Sequence, residues 1–158
     1  MTYSYPKRPI KSFQDLEVYQ KILGVAVVVA KRLAADRDQR KEKKADSLWG
    51  NVAQIARGIT DDLLTLPILI SSAHSIRFSA PEAATTKLEE AMLLCNTTVV
   101  HLEQYRDLGN RTIEAEFFED QIKTILALRI RILHLAQSWK KFISEGRTYG
   151  TNHPTPNR

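Results

Sequence analysis

Apolar side chains recur along most of this chain at alternating intervals of three and four residues, the period of one face of an α-helix. The first series is Leu16, Tyr19, Leu23, Ala26, Ala30 and Leu33, opened by Ser12 as an N-cap with Asp15 three residues on, close to a capping box. It predicts a helix over about 13–36. The Val-rich stretch 25–29 favours a strand by propensity, but a seam kept for several turns without a turn signal outweighs it. Residues 36–47 hold no large apolar side chain and read as a charged linker or a frayed helix end. Leu48, Val52, Ile55, Ile59, Leu63, Leu66, Ile70 and Ala73 then predict a second helix over 46–76. Pro67 lacks an N–H and crowds the carbonyl of Leu63, so a kink or break is expected there. Ser79 with Glu82, and Pro81 within the first turn, mark the third helix. Its stripe is Ala84, Leu88, Ala91, Cys95, Thr98, Leu102 and Tyr105, and Gly109 suits a left-handed cap at its end. A fourth helix runs from near Thr112 to near Gly146 along the seam Phe118, Ile125, Leu128, Ile132, Leu135, Trp139 and Phe142.

Four long amphipathic segments joined by short polar connections predict an all-α, antiparallel four-helix bundle over 12–146. A basic extended arm, 1–11, precedes it, and a tail without periodicity, 147–158, is expected to be disordered. Helix four carries a second apolar stripe, Ile122, Leu126, Ile130 and Leu133; helix one carries another, Val18, Ile22, Val25 and Val29. A helix with two apolar faces needs two neighbours, so these residues are the expected subunit interface of a homo-oligomer. The alternative is a helix wrapped deeply by its own bundle.

Composition narrows the function classes. A chain of 158 residues, 43% apolar and 26% charged, fits one folded domain. Its longest uncharged apolar run, Ile22–Ala30, is far short of a bilayer span, and its first residues are basic and Pro-containing rather than a secretory signal. No membrane partner and a cytoplasmic location are therefore expected. The single cysteine, Cys95, falls on a core stripe and reads as a small hydrophobe. None of His74, His101, His134 and His153 has an acid three residues before it, so the Glu-x-x-His pattern of a di-iron bundle is absent, and no metal or cofactor is expected. The adjacent pairs Asp61–Asp62 and Glu89–Glu90 point about 100° apart on a helix and read as solvated surface. His134, with Lys123, Gln137 and Lys141 beside it, reads as exposed or interfacial. The glycines are scattered and form no phosphate loop. No catalytic signature emerges, and a non-enzymatic role is expected.

Charge supplies the remaining signal. Residues 1–44 and 123–158 together hold 18 Lys and Arg against 6 Asp and Glu; residues 45–122 hold 5 against 12. Such segregation suits a polyanion or head-to-tail pairing between copies. Lys7, Arg8 and Lys11 precede helix one, Arg37, Arg40, Lys41, Lys43 and Lys44 cluster after it, and Arg129, Arg131, Lys140 and Lys141 decorate helix four. These are the candidate contacts for RNA or DNA, through phosphates rather than base edges. Tyr3, Tyr5 and Trp139 place aromatics near them, Trp139 being assigned to the core.

The stretch Ser12-Phe13-Gln14-Asp15-Leu16-Glu17-Val18-Tyr19-Gln20-Lys21 resembles the opening of the bacterial four-helix-bundle family encoded in 23S rRNA intervening sequences, with its Phe-x-Asp-Leu-x-Val-aromatic-Gln pattern. That family's Pro-Ala-Asn-Ile-Ala-Glu-Gly segment corresponds to residues 67–73, where Pro67 and Ile70 agree and Asn, Glu and Gly are replaced. The second half, closing on Ile-Leu-His-Leu-Ala-Gln-Ser-Trp at 132–139, is similar to the accessory variability proteins of diversity-generating retroelements. That resemblance implies a small basic bundle, a homopentamer, bound to nucleic acid and to a reverse transcriptase, with no catalytic motif. The competing expectation is a scaffolding bundle whose charge asymmetry serves assembly or a protein partner alone.

Overall fold

Ser12 caps a single turn of 3-10 helix, Phe13–Asp15, before any α-helix begins. Its hydroxyl accepts from the Gln14 N–H, and the Asp15 carboxylate accepts from the N–H groups of Ser12 and Lys11 at 3.1 and 3.0 Å. Leu16 then takes an extended conformation, with φ −70° and ψ 119°. Four helices follow in this computed structural model: α1 Glu17–Lys41, α2 Trp49–Ile76, α3 Pro81–Leu108 and α4 Ala115–Tyr149. It describes residues 11–41, 49–108 and 112–149, with backbone alone for 40, 41, 49 and 147–149. Residues 1–10, 42–48, 109–111 and 150–158, and with them the arm, the Leu48 and Gly109 assignments and most of the tail, lie outside the described residues.

The described residues form an all-α, up-down-up-down four-helix bundle without a strand. Each helix packs on its neighbours in sequence, α2 on α3 and α3 on α4 most extensively, and α1 closes the ring more loosely against α4. The stripe predicted for α3 is buried in full, from Ala84 to Tyr105. On α2 the core positions Val52, Ile59, Leu63, Leu66, Ile70 and Ala73 are likewise buried.

Five expectations are corrected. On α1 the core face is Val18, Ile22, Val25, Ala26, Val29 and Leu33, while Leu23 is 41% exposed. The stripe assigned to a subunit interface is therefore the core of the monomer. Two faces with the same period lie side by side on this helix, and the one bearing Ile22, Val25 and Val29 removes more apolar surface from water than the one bearing Ala26 and Ala30. The first helix extends past 36 to Lys41, so residues 36–41 are the helix end and not a linker, as the good helix formers among them allow. Of the kink or break expected at Pro67, the break does not occur: the second helix continues through it, because buried Leu63, Leu66 and Ile70 pack on both sides and outweigh the lost backbone bond. Ser79 does not cap α3: its hydroxyl donates back to the Ile76 carbonyl, and Ala80 precedes Pro81 at the helix start. Finally, α4 continues past Gly146, and its seam turns outward beyond Ala136, since a 3.6-residue period drifts from a heptad seam. Trp139 is half-buried and Phe142 exposed.

One polar group sits inside the described core at the far end of α1. Asp36 is 2% exposed, and its two carboxylate oxygens accept from the hydroxyls of Tyr105 and Thr112. It joins α1 to the end of α3 and the approach to α4. Replacing Asp36 with Ala removes the charged acceptor that joins buried Tyr105 to Thr112 and is expected to cost about 2–3 kcal/mol; Tyr105→Phe is expected to cost about 1 kcal/mol. Urea unfolding of the two variants beside the parent chain checks both values.

Candidate nucleic-acid interface

The helices divide the predicted cations between the two ends of the bundle. α1 and α4 run antiparallel, clasped by Arg131 to Glu17 at 2.7 Å and Arg32 to Glu114 at 2.6 Å. Lys11, Lys140 and Lys141 thus lie toward one end and Arg37 toward the other. Arg40 and Lys41 belong to the last turn of α1, which follows Arg37. Lys7, Arg8, Lys43 and Lys44 lie outside the described residues.

Most of the α4 cations already hold carboxylates. Arg131 takes Glu17, Lys140 takes Glu89 at 2.8 Å, and Lys141 approaches Glu145 at 3.9 Å. Lys21 and Arg131 together hold the Glu17 carboxyl pKa at about 2, the hydrogen bond from Lys21 being the largest single cause. Arg129 is half-buried toward α3, and its Nε has no hydrogen-bond partner among the described residues. Arg131 and Lys140 fasten α4 to α1 and α3, and Lys141 pairs within its own helix, so sequence charge overstates what α4 offers to a polyanion.

At the other end the described residues leave the arrangement open. Arg37 is exposed and only loosely paired with Asp38, at 3.6 Å. It stands at the rim of a cleft of about 480 Å³ between α1 and α2, with Arg57 and Asp61 across from it. Ala30, Ala34, Ala53 and Ala56 line the walls. Small side chains on both helices leave this space, and Tyr105, fixed by Asp36, lies at its base. Arg57 escaped sequence reasoning because it stands alone in an acidic stretch; only the antiparallel pairing of α1 and α2 carries it to the basic end.

The second apolar stripe of α4 divides. Leu126 and Ile130 are exposed, whereas Ile122 and Leu133 are half-buried. Counting back from the Lys140–Glu89 clasp brings Ile130 and Leu126 alongside the stretch of α3 that holds exposed Val100. Val18, Ile22, Val25 and Val29 contribute nothing to this face, being buried in the core.

One histidine has a partner that chain spacing concealed. His101 Nδ1 lies 3.2 Å from Asp62 Oδ2 across the α2–α3 seam, and the ring rests on Gly58, where a Cβ would come within 3.0 Å of it. Asp62 is therefore half-buried rather than solvated, and burial raises its pKa against the opposing pull of His101. His134 is exposed. Cys95 is buried, which pushes its thiol up to about 11. No group of three or more metal-ligating side chains occurs among the described residues, and no helix there is long and apolar enough to cross a membrane. No family model, characterised protein or solved structure matches this chain.

His74, buried beside Trp139, has its pKa lowered from the ordinary 6.5, first by burial and then by Arg77, while Asp15 opposes the shift. The unfolded chain therefore takes up this proton at a higher pH than the folded one. The stability attributable to neutral His74 is complete above about pH 6.5 and falls as the pH drops below it. Urea midpoints measured between neutral and mildly acidic pH should decline, and His74→Gln should flatten that decline.

Proposed function

We propose that this chain is a non-enzymatic, self-associating helical bundle that binds RNA or DNA and serves as an accessory to a nucleic-acid enzyme. The observation that carries the reading is the open basic end, where Arg37 and Arg57 frame the α1–α2 cleft and α1 continues into Arg40 and Lys41. Guanidinium groups free to turn outward suit phosphate oxygens better than ammonium groups already clasped to carboxylates. The resemblance to retroelement accessory proteins supports a reverse transcriptase as the enzyme and a homopentamer as the assembly. Exposed Leu126 and Ile130 support a subunit contact on the outer side of α3 and α4. Several copies of one weak site engaging one strand gain affinity without new contacts.

The carboxylate partners of Arg131, Lys140 and Lys141 favour a second reading, a scaffolding bundle whose charges serve its own packing. Titration of labelled single strands and duplexes at several salt concentrations separates the two. Each phosphate neutralised adds about 0.7 to 0.9 to the slope of log affinity against log salt. Replacing Arg37, Arg40, Lys41 and Arg57 by Gln should lower that slope and weaken binding for all sequences alike. Light scattering of the same samples should show an oligomer that Leu126→Glu with Leu133→Glu dissociates while helicity is kept. No binding near about 50 mM salt would leave the scaffolding reading.

A further inference from the structure

The two exposed phenylalanines among the described residues converge on one corner of the bundle. Phe78, in the turn after α2, is 73% exposed, and Phe142, near the end of α4, is 66% exposed. With half-buried Trp139 and Arg77 they line a cavity of about 330 Å³. The Arg77 guanidinium lies 4.2 Å from the centroid of the Phe78 ring. It is held there by the carbonyl of His74, to which Nη1 donates, and by His74 Nδ1 at 3.1 Å. Lys140 and Lys141 belong to the same turns of α4 as the two rings it contributes.

Single exposed apolar side chains are ordinary on a protein surface and need no explanation. Three aromatic rings and a guanidinium around one cavity are a different case. These rings add little to folding, since two of them stay in water, and Phe142 departs from a seam that is buried through Ala136. The chemistry that fits is a flat ring with an anion attached: an unpaired base has a π-face for stacking, and its flanking phosphates need cations. A duplex hides the face of every base, so it cannot use such a pocket. A purely apolar protein segment would gain from the rings but would offer no anion to the Arg77 guanidinium that lies over Phe78.

We propose that the Phe78–Trp139–Phe142 corner is a stacking site for an unpaired base of single-stranded RNA or DNA, with Arg77 and Lys141 facing the adjacent phosphates. This rests on the nucleic-acid reading above and adds to it a preference for single strands. The site is separate from the α1–α2 cleft, which lies at the opposite end of the bundle.

The test uses the full chain carrying Trp49→Phe, which leaves Trp139 as its only indole. Titration with a short oligo(U) or oligo(dT) should quench Trp139 emission. In the same chain, Phe78→Ala and Phe142→Ala should each weaken single-strand binding about tenfold, while Phe142→Tyr, which keeps a ring, restores it. Duplex affinity and the salt slope should not move, because no cation is removed. Both rings are exposed, so thermal unfolding should shift little and report that the variants are folded. If wild type binds single strands and the Ala variants bind them equally well, the stacking site is wrong and the basic-end reading stands. If wild type binds no strand at low salt, both fall. Loss of self-association in the Ala variants with strand affinity intact would assign the corner to a protein contact and overturn the proposal.

Discussion

The carboxylate of Asp36 is the constraint on which the open end of this bundle depends. Extensive packing secures α2, α3 and α4 to one another, with Lys140–Glu89 and His101–Asp62 added across their seams, but α1 meets its neighbours less extensively. Polar clasps hold it along its length: Glu17 to Arg131 near its start, Arg32 to Glu114 further on, and buried Asp36 to Tyr105 and Thr112. A buried carboxylate tolerates little displacement of the groups that satisfy it. Its hydroxyl partners therefore set where the C-terminal turns of α1 sit, and with them the position of Arg37. The α1–α2 cleft lies beside these turns, walled by alanines too small to close it.

How far this was legible in the sequence depends on how many faces each helix offered. On α3 one apolar stripe stands among polar residues, and every position from Ala84 to Tyr105 is buried as the spacing predicts. On α1 two stripes of equal period compete, and periodicity cannot choose between them; the volume of Ile22, Val25 and Val29 does. Pro67 shows local propensity yielding to packing, since the helix is held by contacts made on both sides of the missing bond. The all-α class and the order of the helices survive such errors, because both rest on the 3.6-residue period rather than on phase.

The candidate site was legible only as charge. Sequence gives the cations but not their partners, so Arg131, Lys140 and Lys141 counted as a patch until the fold supplied Glu17, Glu89 and Glu145. Arg57 and the Phe78 corner were invisible for the opposite reason. Each is unremarkable in its own segment, and only antiparallel packing joins α1 to α2 at one end and the α2–α3 turn to the close of α4 at the other. His101 and Asp62 belong to the same class, being 39 residues apart in the chain and 3.2 Å apart in the fold.

These placements put the cleft proposed to bind phosphate and the aromatic corner at opposite ends of a bundle whose α1 alone, at 25 residues, is about 37 Å long. The central claim is that a single strand is gripped at the ends of the molecule and not along its sides. Ultraviolet cross-linking of the unaltered protein to a photoreactive single strand, with the adducts located by mass spectrometry, tests it most directly. Adducts should fall on peptides bearing Arg37 or Arg57 and on those bearing Phe78, Trp139 or Phe142. Adducts confined to the sides of the bundle, around Leu93, Val100 and Ile130, or no adducts at all, would contradict it.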